Sequence, residues 1–403
     1  MAEVRRSTEH VKITAMTMHM TTRSTFLIAA LIIAVASASG HTQVSCAAEL
    51  NTAEKLKTAT LDLQNPHLVY ILDPQLASSI YIVDGDEAGM VGLISAGHLP
   101  NMVMSVDKNR FAVVETYWSR GARGDRVDVL TTYGMETLTA QGEVVLPEGR
   151  ILTTTKKWDA AETPDGRYAL SYNMTPAMTV SIVDIQAMKY VGEIETPDCA
   201  LIFPSAPTRF SMLCADGSML TTNFEANGNA QITRSHPFFD ANLDPVFEHP
   251  AFDRWKALAY FVSYEGAVYP VDLKGQVPSF GKSWSLLSDE DKSKKWRPGG
   301  WQPFAVHPKS NRLFVMMHRG DRWTHKQAGT EIWVFNLESK KRIKRIPLEE
   351  PAMSLTVSLD DAPQLYTISE EGTLHIWDAQ TYEYEDSVDE LGDTPLVLYV
   401  SGE

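Results

Sequence analysis

One phrase, written seven times, constrains this chain more than any other feature. The clearest copy is Thr330–Ile346: Ile332–Phe335 read as a strand, Asn336 ends it, Glu338–Lys341 form a polar turn, and Ile343–Ile346 read as the returning strand. Asn and Asp at such a point bond their own backbone and release it from the ladder, so the pattern is a hairpin signal. The other copies are anchored at Asp84, Thr131, Asp184, Asn223, Asp272 and Asp378, and successive anchors lie 47, 53, 39, 49, 64 and 42 residues apart. Repeats of about 40–50 residues with four strands each are propeller blades. The expectation is an all-β, seven-bladed propeller of four-stranded antiparallel blades.

The ends of the chain bear on how such a ring closes. The first blade shows only three strands, HLVYILD from His67, then SSIYIVD and MVGLISAG. Thr394–Val400, TPLVLYV, lies beyond the last hairpin and belongs to no blade of its own. Adding it to blade one closes the ring and removes the open edges that invite aggregation. The propeller is thus expected over 67–403, with a polar arm over 48–66.

Phe26–Ala36 is an apolar run of 11 residues, with Arg23 before it and small residues after it. It is too short to span a bilayer and carries the flanks of a signal peptide, with cleavage after Ala38 or Ala47. A retained anchor helix is the alternative. Export with residues 1–47 removed takes away Cys46 and leaves Cys199 and Cys214. An even pair in an exported protein reads as a disulfide, which contributes roughly 3 kcal/mol through its effect on the unfolded chain. Two buried free thiols are the other reading.

The net charge is −15, with no basic stripe, which argues against nucleic acid as a partner. Arg120, Arg123 and Arg126 cluster in a Gly-containing loop, but no helix follows it, so it is not a phosphate loop. The longest gap between anchors holds Ser283–Pro308, where Ser288 reads as the N-cap of a short helix that Pro298–Gly300 stop. His307, His318 and His325 lack metal-ligand spacing. Trp333 and Trp377 fall in strands and read as packing residues, whereas Trp296, Trp301 and Trp323 fall in loops and read as candidates to face a partner. No catalytic, cofactor-binding or metal-binding motif is visible in this chain.

Ser285–Pro308, SLLSDEDKSKKWRPGGWQPFAVHP, resembles the segment before the sixth blade of the heavy (large, alpha) subunit of quinoprotein amine dehydrogenases, the methylamine and aromatic amine dehydrogenase family. YIVDGDEAGMVGLI, YWSRGARGDRVDV, the Cys199/Cys214 pair, FVSYEGAVYPVDL and THKQAGTEIWVFNL resemble it too, so the likeness covers residues 66–400. It implies a periplasmic complex of two heavy and two light (beta) subunits that converts primary amines to aldehyde and ammonia. The light subunit would carry tryptophan tryptophylquinone and the catalytic Asp. A blue-copper protein, amicyanin- or azurin-like, would accept the electrons. The heavy chain would be scaffold and substrate-channel wall, with no stable membrane anchor.

One loop departs from the family pattern. Where the family places a Phe that narrows the channel, the loop within Leu72–Tyr81 is shorter, and Leu76 is its nearest apolar residue. An altered amine preference is one expectation; the other is that the neighbouring His98–Asn101 segment fills the space. Two other classes compete with the amine dehydrogenase reading. One is a ring-shaped adaptor of the tryptophan–aspartate repeat type, prompted by His375–Asp378, HIWD. The other is a lone propeller enzyme, such as a lactonase, that works in its central channel.

Overall fold

Each of the seven repeats forms the hairpin its sequence spells. The structure is a computed structural model that describes residues 60–147, 149–174 and 177–403. The leader expected over 1–47 and the part of the expected arm over 48–59 lie outside the described residues. At five of the seven hairpin turns the expected side-chain bond is present, the exceptions being Thr131 and Asn223, which lie inside strands. Asp84 Oδ1 accepts from the Asp86 N–H at 2.9 Å, Asp184 from Ala187 at 2.9 Å, Asn336 from Ser339 at 2.8 Å, and Asp378 from Thr381 at 2.8 Å. Four residues past these anchors the backbone is left-handed, at Ala88, Met188, Lys340 and Tyr382, with φ between 46° and 67°. Side chains rarely adopt that conformation, and the anchoring bonds offset its cost of ~1 kcal/mol.

The second repeat is anchored differently from the expectation. Thr131 sits inside the strand Arg126–Gly134, buried and paired on both sides with Val113 and Glu143. The strand runs three residues further and ends at Gly134, midway between Asp84 and Asp184. Leu138, four residues on, carries the left-handed φ of 55° that marks the other turns.

The expectation of seven separate four-stranded blades is corrected. Among the described residues the strands form six sheets, of which five are blade-sized, with four or five strands, and the sixth has eight. The large sheet exists because Lys341–Val357 is one unbroken strand of 17 residues. Its first half pairs with Gly329–Asn336 and its second half with Gln364–Ser369. The propeller therefore has five separate blades, and the last two hairpins share one continuous sheet. The physical reason lies in PLEEP, residues 347–351: two prolines hold φ in the extended range and no glycine is present to turn the chain out of the sheet.

At the other end, Val397–Val400 pairs antiparallel with Leu68–Asp73, matching Val400 to Val69 and Tyr399 to Tyr70. The C-terminal strand thus becomes the innermost strand of the first sheet. Apolar side chains from neighbouring sheets interleave. Phe111 stacks on Tyr133 at 5.2 Å and tilts against Tyr70 at 6.1 Å. Trp333 and Trp377 are buried, as their strand positions imply.

Trp296 is buried too, which corrects its assignment to a partner-facing loop. It lies in the short strand Trp296–Pro298, 5.3 Å from Trp333, with the Arg319 and Arg345 guanidinium groups over its ring. The inserted helix is Asp289–Ser293, and Ser288 caps it, since its Oγ accepts from the Asp291 N–H at 3.2 Å. It ends before Pro298: Lys295 turns left-handed (φ 59°), and the chain is then captured as a strand against Arg312–Arg319. Cys199 and Cys214 are joined in a disulfide between directly paired positions of neighbouring strands. Among the described residues no helix is long and apolar enough to cross a membrane.

Candidate functional site

In an antiparallel sheet the turns alternate edges, so loops joining the second and third strands of successive sheets share one rim of the propeller. Pro74–Ala77, Ser119–Asp125, Ser263–Gly266 and Gly320–Ala328 are such loops. Leu76 stands on the first, 68% exposed. Its backbone is held on both sides. The Gln75 N–H donates to Ser78 Oγ at 2.9 Å, Gln75 Nε2 to Thr394 Oγ1 at 2.6 Å, and the Leu99 N–H to Gln75 O at 3.4 Å. Buried Asp73 accepts from the Asp393 and Thr394 N–H groups at 3.1 and 3.0 Å. The loop is thus fixed, with an apolar side chain at its outward tip. The His98–Asn101 segment lies directly against it, so this rim takes its shape from both candidate segments.

Other apolar side chains are exposed on the same rim. Trp323, 54% exposed, lies under the Arg322 guanidinium at 4.6 Å, and Arg322 donates onward to the Leu243 carbonyl. Leu243 is itself 67% exposed. Trp301, half-buried, lies 4.3 Å beneath the Lys326 ammonium. Of the three loop tryptophans, Trp323 and Trp301 keep the placement the sequence suggested and Trp296 does not.

Against the His98–Asn101 segment sits a buried guanidinium. Arg150 donates to Leu99 O at 2.8 Å, His98 O at 2.8 Å, Asn101 Oδ1 at 3.0 Å and Thr116 Oγ1 at 3.1 Å. Asp128 ties the same corner together, accepting from Arg126 Nε at 2.9 Å, Thr116 Oγ1 at 2.6 Å and the Arg150 N–H at 3.3 Å. Burial pushes the Arg150 guanidinium down to about 10, against the pull of Asp128. Even so it stays charged at neutral pH.

Toward the axis the side chains are polar and packed. Lys326 and Lys156 flank Glu248 at 2.6 and 3.4 Å. Burial alone would raise this carboxyl, but the two ammonium groups bring it down to about 2. His249 accepts from the Lys157 N–H at 3.1 Å through Nε2, so its proton sits on Nδ1, and burial lowers it to about 3. Burial lifts Asp159 to about 7, against Lys156. Lys157 is buried, donates to Leu398 O at 3.0 Å, lies 5.0 Å from the Tyr399 ring centre, and pairs with Glu403. Arg254 binds the Glu403 and Glu162 carbonyls, and Arg110 reaches Glu162 at 2.8 Å. Two cavities of about 40 and 30 Å³ are both bordered by Lys157, Trp158, Phe252, Arg254 and Glu403. Spaces of this size hold water.

The remaining candidates are scattered. Cys199 and Cys214 lie in a different sheet from Leu76. His307 bonds Ser310 Oγ at 2.8 Å and Asp360 O at 2.9 Å, His318 bonds Thr324 Oγ1 at 2.9 Å, and His325 stacks on Tyr264 at 3.7 Å. Among the described residues no group of three or more His, Cys, Asp or Glu is arranged to hold a metal ion. Arg120 and Arg123 are exposed, while Arg126 is bound to Asp128. Sequence reading missed Arg150, Asp128 and the Lys157–Glu403 pair. A cation in a linker carries no periodic signal that separates a buried role from a solvated one.

The family model described as methylamine dehydrogenase heavy chain matches residues 65–401. This chain belongs to the methylamine dehydrogenase heavy chain family. It is 34% identical over 339 residues to the methylamine dehydrogenase heavy chain of Methylophilus methylotrophus, covering 83% of each chain. To that of Paracoccus versutus it is 34% identical, covering 82% of this chain and 78% of the relative. To that of Methylorubrum extorquens it is 33% identical, covering 93% and 94%. Among solved structures, the fold is similar to that of the dihydro-heme d1 dehydrogenase NirN, with TM-score 0.53 and 15% identity. That match covers 82% of this chain and spans 65% of NirN. A functionally unknown protein from Desulfotomaculum acetoxidans is similar with TM-score 0.57 and 10% identity, over 83% of this chain and 99% of that one. Membership of the heavy chain family supports an amine dehydrogenase role and disfavours the adaptor reading.

Proposed function

We propose that this chain is the heavy subunit of a periplasmic amine dehydrogenase that releases aldehyde and ammonia from primary amines. The observation that carries this is the family match, which runs through the whole propeller and includes the Leu76 loop. In this reading the light subunit docks on the rim that carries Leu76, Leu243 and Trp323, and two copies of each subunit assemble. Tryptophan tryptophylquinone, held by the light subunit, supplies the electron sink for amine oxidation. A blue-copper protein then takes the electrons. The heavy chain contributes shape: Arg150 fixes the His98–Leu99 ledge, the ledge and Thr394 fix the Leu76 loop, and Leu76 borders the amine's path.

Coexpression with any short, Cys-rich exported chain found encoded beside it tests the assignment. The expected result is a stable complex with quinone absorbance that oxidises amines, while the isolated heavy chain is inactive. Amine turnover by the heavy chain alone would end the proposal.

The Leu76 role has its own measurement. Leu76→Phe adds an aromatic ring at the border of the path, so discrimination against 2-phenylethylamine relative to methylamine is expected to rise roughly tenfold in kcat/KM, within the range that pocket size confers. An unchanged ratio removes Leu76 from the channel wall.

A further inference from the structure

The segment that overturns the seven-blade expectation also opens a cavity. Lys341–Val357 pairs with Gly329–Asn336 through Pro347, opposite Glu331, and again at Ala352, opposite Gly329. The residues between, Leu348–Pro351, have no partner in that ladder, so the strand bulges away from its neighbour. Beside the bulge lies a cavity of about 330 Å³. One wall is Leu348, Glu349 and Glu350; the other is His375, Trp377 and Tyr384 from the last hairpin.

The chemistry of these walls is uneven. The Trp377 and Tyr384 rings stand 5.1 Å apart at 77°, forming an aromatic corner, and His375 lies 6.0 Å from Tyr384. Trp377 is anchored, since it is buried and its Nε1 donates to Thr367 Oγ1 at 3.4 Å, whereas Tyr384 is half exposed. Glu350 is oriented by His375 Nε2 at 2.9 Å. Glu349 is exposed and adds a second carboxylate. The single cationic candidate in the lining, His375, is already committed to Glu350.

Aromatic faces carry negative quadrupole potential and draw organic cations, with more effect where water is excluded. Carboxylates beside them add charge attraction. A metal ion would instead need several oxygen ligands converging at one point, and two carboxylates next to indole and phenol rings do not supply them. The volume lies at the lower end of that of small-molecule sites. We propose that this cavity binds a small alkylammonium ion, with its alkyl groups against Trp377 and Tyr384 and its charge toward Glu349 and Glu350. The site is separate from the Leu76 rim residues and does not depend on the function proposed above.

Saturation-transfer NMR on the methyl protons of tetramethylammonium chloride tests it, using the full chain with any light subunit that copurifies, at constant ionic strength. Saturable binding is expected, and neutral tert-butanol should not compete. Tyr384→Leu and the double variant Glu349→Gln/Glu350→Gln should each weaken binding about fivefold or more, the scale of one lost cation–π contact. Tyr384 is on an exposed edge strand, so its replacement leaves the fold intact, and unchanged far-UV circular dichroism verifies this for both variants. Absence of saturation, equal binding of tert-butanol, or unchanged affinity in folded variants overturns the proposal.

Discussion

Replacing Arg150 with Met is expected to destabilise the chain by about 4 kcal/mol, the largest loss from any single side chain near the candidate rim. The guanidinium is 1% exposed and satisfies two backbone carbonyls, an amide oxygen and a hydroxyl at once. Met fills similar volume but donates nothing, so these acceptors are left in a place water does not reach. Each orphaned group costs about 1–3 kcal/mol, reduced where the ledge can relax outward. The corner also loses the charge that opposes Asp128. Arg150→Lys keeps that charge, but three donors on one point cannot reach acceptors spread across a fork, so it should recover less than half of the loss. Arg123→Ala is the control: this side chain is exposed on the neighbouring loop, so its loss should change stability by no more than about 0.5 kcal/mol. Urea unfolding of the three variants reads the result. A loss below about 1 kcal/mol for Arg150→Met would show that the ledge holds itself up without the guanidinium.

The contrast between what was legible and what was not follows from the range of the interactions. Asp84, Asp184, Asn336 and Asp378 were readable because an Asx turn is settled within three residues of its anchor. Thr131 was misread because a β-branched polar residue inside a strand looks like an anchor when the true end, Gly134, has no side chain to bond with. Whether adjacent hairpins share a sheet depends on PLEEP staying extended between two distant ladders, which no local pattern states. Trp296 looked like a loop residue until Arg312–Arg319 captured it as a strand. At the candidate site the balance is similar. Leu76 was singled out only through resemblance to a family, and the structure places it exposed on its loop. Arg150 and Lys157 were not found, because burial of a linker cation is decided by partners as near as 34 residues (Thr116) and as far as 241 (Leu398) and beyond (Glu403).

The Lys157–Glu403 pair offers a test whose sign is set by burial. Lys157 is enclosed, and burial lowers its ammonium while Glu403 holds it up. Glu403→Gln removes that support and leaves the charge with the Leu398 carbonyl and the Tyr399 face. Breaking one side of a buried pair costs about 3 kcal/mol. In the variant, the folded state gives up the Lys157 proton at a lower pH than the unfolded chain does. Between that pH and the ordinary lysine value the unfolded state binds more protons, so stability climbs as pH rises. Two neighbours titrate lower and do not interfere. His249, held down to about 3, loses stability as pH falls below 6.5, and Asp159, raised to about 7, loses stability as pH rises from 3.8 toward 7. Above about 8 both have finished, so the difference in slope between Glu403→Gln and the unmodified chain from there to about pH 9 belongs to Lys157. Lys157→Met should show no such slope. Lys157→Met/Glu403→Gln should recover most of the loss, because two neutral side chains need no pairing. Urea unfolding across this pH range decides the matter: a Glu403→Gln slope identical to that of the unmodified chain, or a double variant no more stable than either single one, would mean that the pair does not hold the axis closed.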